Sequence, residues 1–202
     1  MLPERLTLPH LERFSGKLVL PGSKSLSNRI LLLAALASGE TRVTHLLHSE
    51  DVRVMLEALR LLGVPVRGEP GANHMVIVGQ AGPLPSPGQA ARQSSYTLHL
   101  ANAGTAMRPL TAVLCAGRGS FTLQGVPRMH ERPIGDLVEG LRQLGARITC
   151  LERDGYPPLQ IEAAGLAGGP VRISGATSSQ FLSALLLAAP LARAPVDIAV
   201  TD

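Results

Sequence analysis

Three apolar stretches organise this chain. Leu31-Leu32-Leu33-Ala34-Ala35 recurs as Leu185-Leu186-Leu187-Ala188-Ala189, and Leu110 to Ala116 lies between them. Each suits a buried helix, and a matching Leu36-Ala37-Ser38-Gly39 and Leu114-Cys115-Ala116-Gly117 place a glycine at the expected end of the first two. A second pair of segments also matches: Glu57-Ala58-Leu59-Arg60-Leu61-Leu62-Gly63 and Glu139-Gly140-Leu141-Arg142-Gln143-Leu144-Gly145. In the first of these, Val52, Met55, Leu56, Leu59 and Leu62 keep helical spacing, and Gly63 stands where a C′ glycine belongs. Strands are expected at Phe121–Leu123, Met75–Val78, Ala146–Thr149 and Val196–Val200. Residues 81 to 95, rich in Gly, Pro, Ser and Gln, read as a surface loop inside the first unit.

The repeats are offset by 78 and 82 residues. That is too long for a solenoid and suits a βαβαββ unit. The expected fold class is therefore α/β (α+β), built from repeated βαβαββ units. The third unit has its first helix and one strand but no amphipathic helix, so the chain is expected to be truncated in that unit, at Asp202.

Composition narrows the chemistry. A chain of 202 residues that is 45% hydrophobic has enough apolar surface for a sizeable core and is too apolar for disorder. Its longest apolar run, Ile30 to Ala37, falls far short of the ~20 residues of a membrane helix. Met1 to Phe14 carries charges and no apolar block, which excludes a secretory signal there. Cys115 and Cys150 form no CxxC pair and read as buried thiols of a reducing cytosol. His45, His48, His74 and His99 lack ligand spacing, so no metal site is expected. The net charge of +4 fits anionic partners. With no Trp, two Tyr and three Phe, and no Lys/Arg cluster, small phosphorylated ligands suit it better than nucleic acid.

The candidate chemistry sits where the three apolar helices begin. The preceding segments are Pro21-Gly-Ser-Lys-Ser-Leu-Ser-Asn-Arg29, Ala101-Asn-Ala-Gly-Thr-Ala-Met-Arg108 and Ser174-Gly-Ala-Thr-Ser-Ser-Gln180. Each joins a glycine to hydroxyls or amides, and two add a cation. A helix start offers unpaired N–H groups and a partial positive charge. Any one of these segments could be a simple N-cap. Three in equivalent places of three repeats should lie side by side as an anion-binding face. There is no Walker motif and no GxGxxG.

Leu20-Pro-Gly-Ser-Lys-Ser-Leu-Ser-Asn-Arg29, Asn102-Ala-Gly-Thr-Ala-Met-Arg-Pro109, Pro127-Arg-Met-His-Glu-Arg-Pro-Ile134 and Ser178-Ser-Gln-Phe181 resemble, in order and spacing, signature segments of the 5-enolpyruvylshikimate-3-phosphate synthases. The resemblance covers essentially the whole chain. It implies one domain of the two-domain enolpyruvyl transferase fold, with the active site in the cleft between domains. Residues 21–202 would form the N-terminal, shikimate-3-phosphate-binding domain, incomplete here, and residues 1–20 would pack in the second domain, with the C-terminal half as partner. The implied reaction is cytoplasmic, needs no cofactor, and transfers the enolpyruvyl group of phosphoenolpyruvate to the 5-hydroxyl of shikimate 3-phosphate.

Residue by residue, the resemblance implies that Lys24 reaches both substrates and moves a proton. Ser25 and Arg29 would hold shikimate 3-phosphate, with Ser178 and Ser179 on its phosphate. Asn102 and Gly104 would line the phosphoenolpyruvate site, Arg132 would pair with that substrate, and Gln180 would lie between the two. Arg128 is taken as a structural neighbour only, and His130 has no catalytic role. Glyphosate would occupy the phosphoenolpyruvate site close to Gly104, where a hydrogen leaves room that a methyl would fill. The nearest rival is a UDP-N-acetylglucosamine enolpyruvyl transferase, which carries a Cys in the loop matching Gln124 to Pro133 and an Asn after the lysine. This chain has neither. A non-catalytic phosphate-binding module is the rival from another class.

Overall fold

The computed structural model describes residues 15–68, 74–85 and 93–201, with residues 5, 7, 10, 12 and 13. The first repeat comprises α1 (Lys24–Leu36), β1 (Ser38–Thr44), α2 (Glu50–Leu61), β2 (Val66–Arg67) and β3 (His74–Gln80). The second comprises β4 (Ser95–His99), α3 (Gly104–Cys115), β5 (Arg118–Gln124), the short α4 (Pro127–His130), α5 (Gly135–Gln143), β6 (Arg147–Cys150) and β7 (Leu159–Ala164). The third comprises β8 (Gly169–Ser174), α6 (Ser179–Ala188), a 3-10 turn (Ala189–Leu191) and β9 (Val196–Thr201).

The sheets follow the repeats. β4 and β5 pair in parallel around α3, and β7 joins β5 and β6 antiparallel, giving the order β4-β5-β7-β6. With α5 before β6, this is a complete βαβαββ unit. The first unit forms the antiparallel sheet β1-β3-β2 and has no strand before α1 among the described residues. The third supplies the parallel pair β8-β9 around α6.

The apolar stretches become the central layer. Leu31, Leu32, Leu110, Leu114, Ala184 and Leu185 are buried, and α3 packs on α1 on one side and on α6 on the other. Burying each leucine contributes ~1.5–3 kcal/mol relative to an exposed one. Tyr96 and Phe121, register partners on β4 and β5, stack with ring centroids 5.3 Å apart and lock the strands that flank α3. The expected strands match β3, β5, β6 and β9, except that β6 starts one residue later than expected, at Arg147, and runs on to Cys150. Gly63 and Gly145 follow the helix ends with φ of 81° and 89°, left-handed as a C′ glycine requires.

Two expectations are corrected. Gly39 does not end α1. The helix stops at Leu36, Ala37 is already extended, and Gly39 lies inside β1. The loop expected over 81 to 95 ends early, because Ser95 begins β4, which belongs to the second sheet; residues 86–92 lie outside the described residues. The end at Asp202 and part of the segment 1–20 also lie outside them. Of that segment, Leu18, Val19 and Leu20 are largely exposed and in no helix or strand.

Cys115 is buried in α3 and donates to the Thr111 carbonyl at 3.1 Å. Burial pushes its thiol up to about 12, which leaves it protonated and unreactive at neutral pH. Among the described residues no helix is long and apolar enough to cross a membrane, and no group of three His, Cys, Asp or Glu side chains could hold a metal ion.

Candidate functional site

The starts of α1, α3 and α6 meet on one side of the helix layer. Side-chain hydrogen bonds join each pair of them. Asn28 Nδ2 on α1 donates to Thr105 Oγ1 on α3 at 2.8 Å. Arg108 Nη1 on α3 donates to Gln180 Oε1 on α6 at 3.1 Å. Arg29 Nη2 on α1 donates to Ser183 Oγ on α6 at 3.2 Å. The shared recess is lined by Ser25, Arg29, Thr105, Pro109, Gln180 and Ser183.

Each start is built from local sequence. Ser23 caps α1, its side chain accepting from Leu26 N, and Ser178 caps α6, accepting from Gln180 N at 3.2 Å. These two serines therefore serve their helices first. α3 has Ala103 at its N-cap and no side-chain cap; the Gly104 and Ala106 N–H groups of its first turn donate instead to the Asn102 and Ala103 carbonyls, each at 3.0 Å. Pro109, inside α3, has no N–H to offer the Thr105 carbonyl.

Lys24, half exposed, sets its Nζ 3.4 Å from Asp51 Oδ1. The other carboxylate oxygen, Asp51 Oδ2, accepts from Thr105 Oγ1 at 2.7 Å. Asn28 Nδ2 also reaches the Asp51 carbonyl at 3.3 Å. Asp51, in the first turn of α2, is thus tied to the starts of both α1 and α3. Sequence reasoning missed it, because an acidic residue at a helix start reads as ordinary dipole stabilisation. Ser25 Oγ accepts from Arg29 Nη1 at 2.6 Å, which draws the two expected shikimate 3-phosphate residues together in the recess. Ser179 is exposed, and its carbonyl accepts from Ser183 Oγ at 2.9 Å.

The Asn102 side is built by the loop after β5. Arg132 Nη1 donates to the Asn102 carbonyl at 2.9 Å, and Arg108 Nη2 donates to the Pro133 carbonyl at 3.1 Å. Both guanidiniums lie over Gly104. A Cβ built there would meet Arg108 Nη1, and would stand 2.6 Å from Arg132 Nη2 and 2.8 Å from its Cζ. The room expected above the Gly104 hydrogen is thus taken by two arginines. Gly22 differs too: a Cβ on it would meet the His45 carbonyl and stand 2.9 Å from Leu47 N, so its close approach is to its own chain. Arg128 pairs with Glu131 at the surface, and His130 Nδ1 lies 3.3 Å from Glu152, neither of them in the recess.

The electrostatics of this face are positive. Arg108 is 6% exposed, and burial first, then the charge of Arg132, lowers its pKa to about 10, which leaves it cationic at neutral pH. Arg29 and Lys24 add charge beside it. Against these stands the carboxylate of Asp51, beside Lys24 and Thr105.

A family model described as EPSP synthase (3-phosphoshikimate 1-carboxyvinyltransferase) matches residues 9–202. The chain belongs to the EPSP synthase family. Curated relatives of this family include a 3-phosphoshikimate 1-carboxyvinyltransferase of Nitrosomonas europaea, 55% identical over 97% of this chain. Another, of Sulfurovum sp. strain NBC37-1, is 54% identical over 96% of it. The chain spans 44% of the length of each. Among solved structures, an EPSP synthase from Acinetobacter baumannii superposes with a TM-score of 0.79 at 30% identity, over 93% of this chain and 40% of that one. The enolpyruvyl transferase NikO from Streptomyces tendae, at 16% identity and a TM-score of 0.56, shares the enolpyruvyl transferase fold.

Proposed function

We propose that this chain supplies the shikimate-3-phosphate-holding domain, residues 21–202, of a cytoplasmic 3-phosphoshikimate 1-carboxyvinyltransferase. Residues 1–20 would then pack in a second domain that closes over the recess, and the exposure of Leu18, Val19 and Leu20 supports that placing. The observation that carries the reading is the meeting of three helix starts, tied pairwise through Asn28, Arg108 and Arg29, around one cationic recess. In this reading Ser25, Arg29, Ser178 and Ser179 bind shikimate 3-phosphate. Asn102, Gly104 and Arg132 bind phosphoenolpyruvate, and Lys24 and Gln180 touch both.

The reaction joins two multiply charged anions. Unit charges 4 Å apart repel by ~4 kcal/mol at an effective dielectric near 20. Lys24, Arg29 and Arg132 offset that repulsion, and holding the reactants together supplies much of the remaining rate. The 5-hydroxyl oxygen adds to C2 of phosphoenolpyruvate while C3 takes a proton. The tetrahedral intermediate then expels inorganic phosphate as the C3 proton is lost, leaving the enolpyruvyl ether. Lys24 would exchange protons at the reacting centre, and its ion pair with Asp51 orients it.

The full-length enzyme that carries this chain should release phosphate from phosphoenolpyruvate only when shikimate 3-phosphate is present. Phosphate release with UDP-N-acetylglucosamine in its place would assign the chain to the rival transferase. The lack of Cys between Gln124 and Pro133 argues against that outcome.

A further inference from the structure

We propose that Arg108 is a positioning residue that fixes which edge of the Gln180 amide faces the recess. The inference rests on the proposed function and concerns the same site. Arg108 belongs to no expected substrate contact and does not line the recess. Its guanidinium nevertheless joins two parts of the site that are far apart in sequence. Nη1 donates to Gln180 Oε1 at 3.1 Å, and Nη2 donates to the Pro133 carbonyl, next to Arg132, at 3.1 Å. The guanidinium also lies over the Phe181 ring, 5.5 Å from its centroid.

A guanidinium only donates hydrogen bonds, whereas an amide has one accepting oxygen and one donating NH2. Facing Arg108, the Gln180 amide must turn its oxygen inward. Its NH2 is then the edge left for the recess, where Gln180 stands with Ser25, Arg29 and Thr105. A recess edge that can only donate selects ionised oxygens, such as those of a phosphate or carboxylate, over hydroxyl or amide donors.

Stability alone gives no reason for a charge at this position. Arg108 is nearly fully buried, forms no ion pair among the described residues, and lies against a second guanidinium, Arg132. Its Nε–H is buried without a partner. Burying a cation under these conditions opposes folding. What the residue gains is a rigid two-pronged link between the start of α6 and the loop of Arg132. A lysine, with one compact ammonium, cannot reproduce that link.

The test uses the full-length enzyme and begins with Gln180→Glu. The new carboxylate should pair with Arg108, so the melting temperature should hold or rise, while an oxygen replaces the NH2 in the recess. We expect kcat/KM to fall roughly a hundredfold or more, the scale of losing one positioned donor. Gln180→Ala should fall less, by about tenfold. Arg108→Lys should cost about tenfold in the wild-type background and little in Gln180→Ala, so the two losses should not add. Near-normal activity of Gln180→Glu would mean that the amide oxygen faces the substrates, and would overturn the inference. So would additive losses in the cycle. Absence of wild-type turnover of shikimate 3-phosphate and phosphoenolpyruvate in the same assay would overturn the proposed function, and this inference with it.

Discussion

Lys24→Ala in the full-length enzyme is expected to lower kcat by roughly 10²–10⁴-fold, the range that positioned proton transfer contributes. Lys24 opens α1, and its Nζ is held 3.4 Å from Asp51 Oδ1. In the proposed mechanism, the variant removes the cation that would exchange the proton and one of the charges that would offset substrate repulsion. The fold should survive. Lys24 is half exposed, and an ion pair of that kind contributes only about 0–1 kcal/mol. Asp51 keeps its hydrogen bond from Thr105. A drop in turnover with an almost unchanged melting temperature is therefore the expected pattern. Near-normal turnover would remove Lys24 from the mechanism.

Gly104→Ala is expected to raise the KM for phosphoenolpyruvate and to weaken inhibition by glyphosate together. The structure gives the reason a specific form. A methyl at Gly104 collides with Arg108 Nη1 and stands 2.6 Å from Arg132 Nη2. These are the far ends of flexible side chains, so the protein can fold by moving them. Moving them takes Arg132 from the Asn102 carbonyl and from the place where an anionic donor would meet it. Such overpacking commonly costs ~1–3 kcal/mol, or roughly tenfold to a hundredfold in affinity. Inhibition curves of wild type and variant at one fixed phosphoenolpyruvate concentration check this. If they superimpose, Gly104 does not border the donor site, and the placing of Asn102 and Arg132 there loses its support.

Much of the fold was legible because burial leaves a period in the sequence. The spacing from Val52 to Leu62 and the glycine that follows mark α2 and its end, and the same pattern from Glu139 to Gly145 marks α5. β1 left no such trace. Ser38–Thr44 buries only Val43, so the strand is written in polar residues and held by its ladder with β3. β4 was hidden likewise, its first residues blending into the Ser- and Gln-rich stretch before it. At the site, residues at the helix starts could be read from the repeat. Asp51 and the role of Arg108 could not. Each acts through partners 23 to 72 positions away, which only the packing of these elements brings within reach.

Titration calorimetry of this 202-residue chain with each substrate alone tests the central claim most directly. Ser25, Arg29, Ser178, Ser179 and Gln180 all stand on α1 and α6 or at their starts, so shikimate 3-phosphate should bind at one site per chain and more tightly than phosphoenolpyruvate. Arg29→Ala, which removes the link to both Ser25 and Ser183, should abolish most of that binding. Tighter binding of phosphoenolpyruvate, or shikimate 3-phosphate binding that ignores Arg29→Ala, would contradict the assignment of this recess.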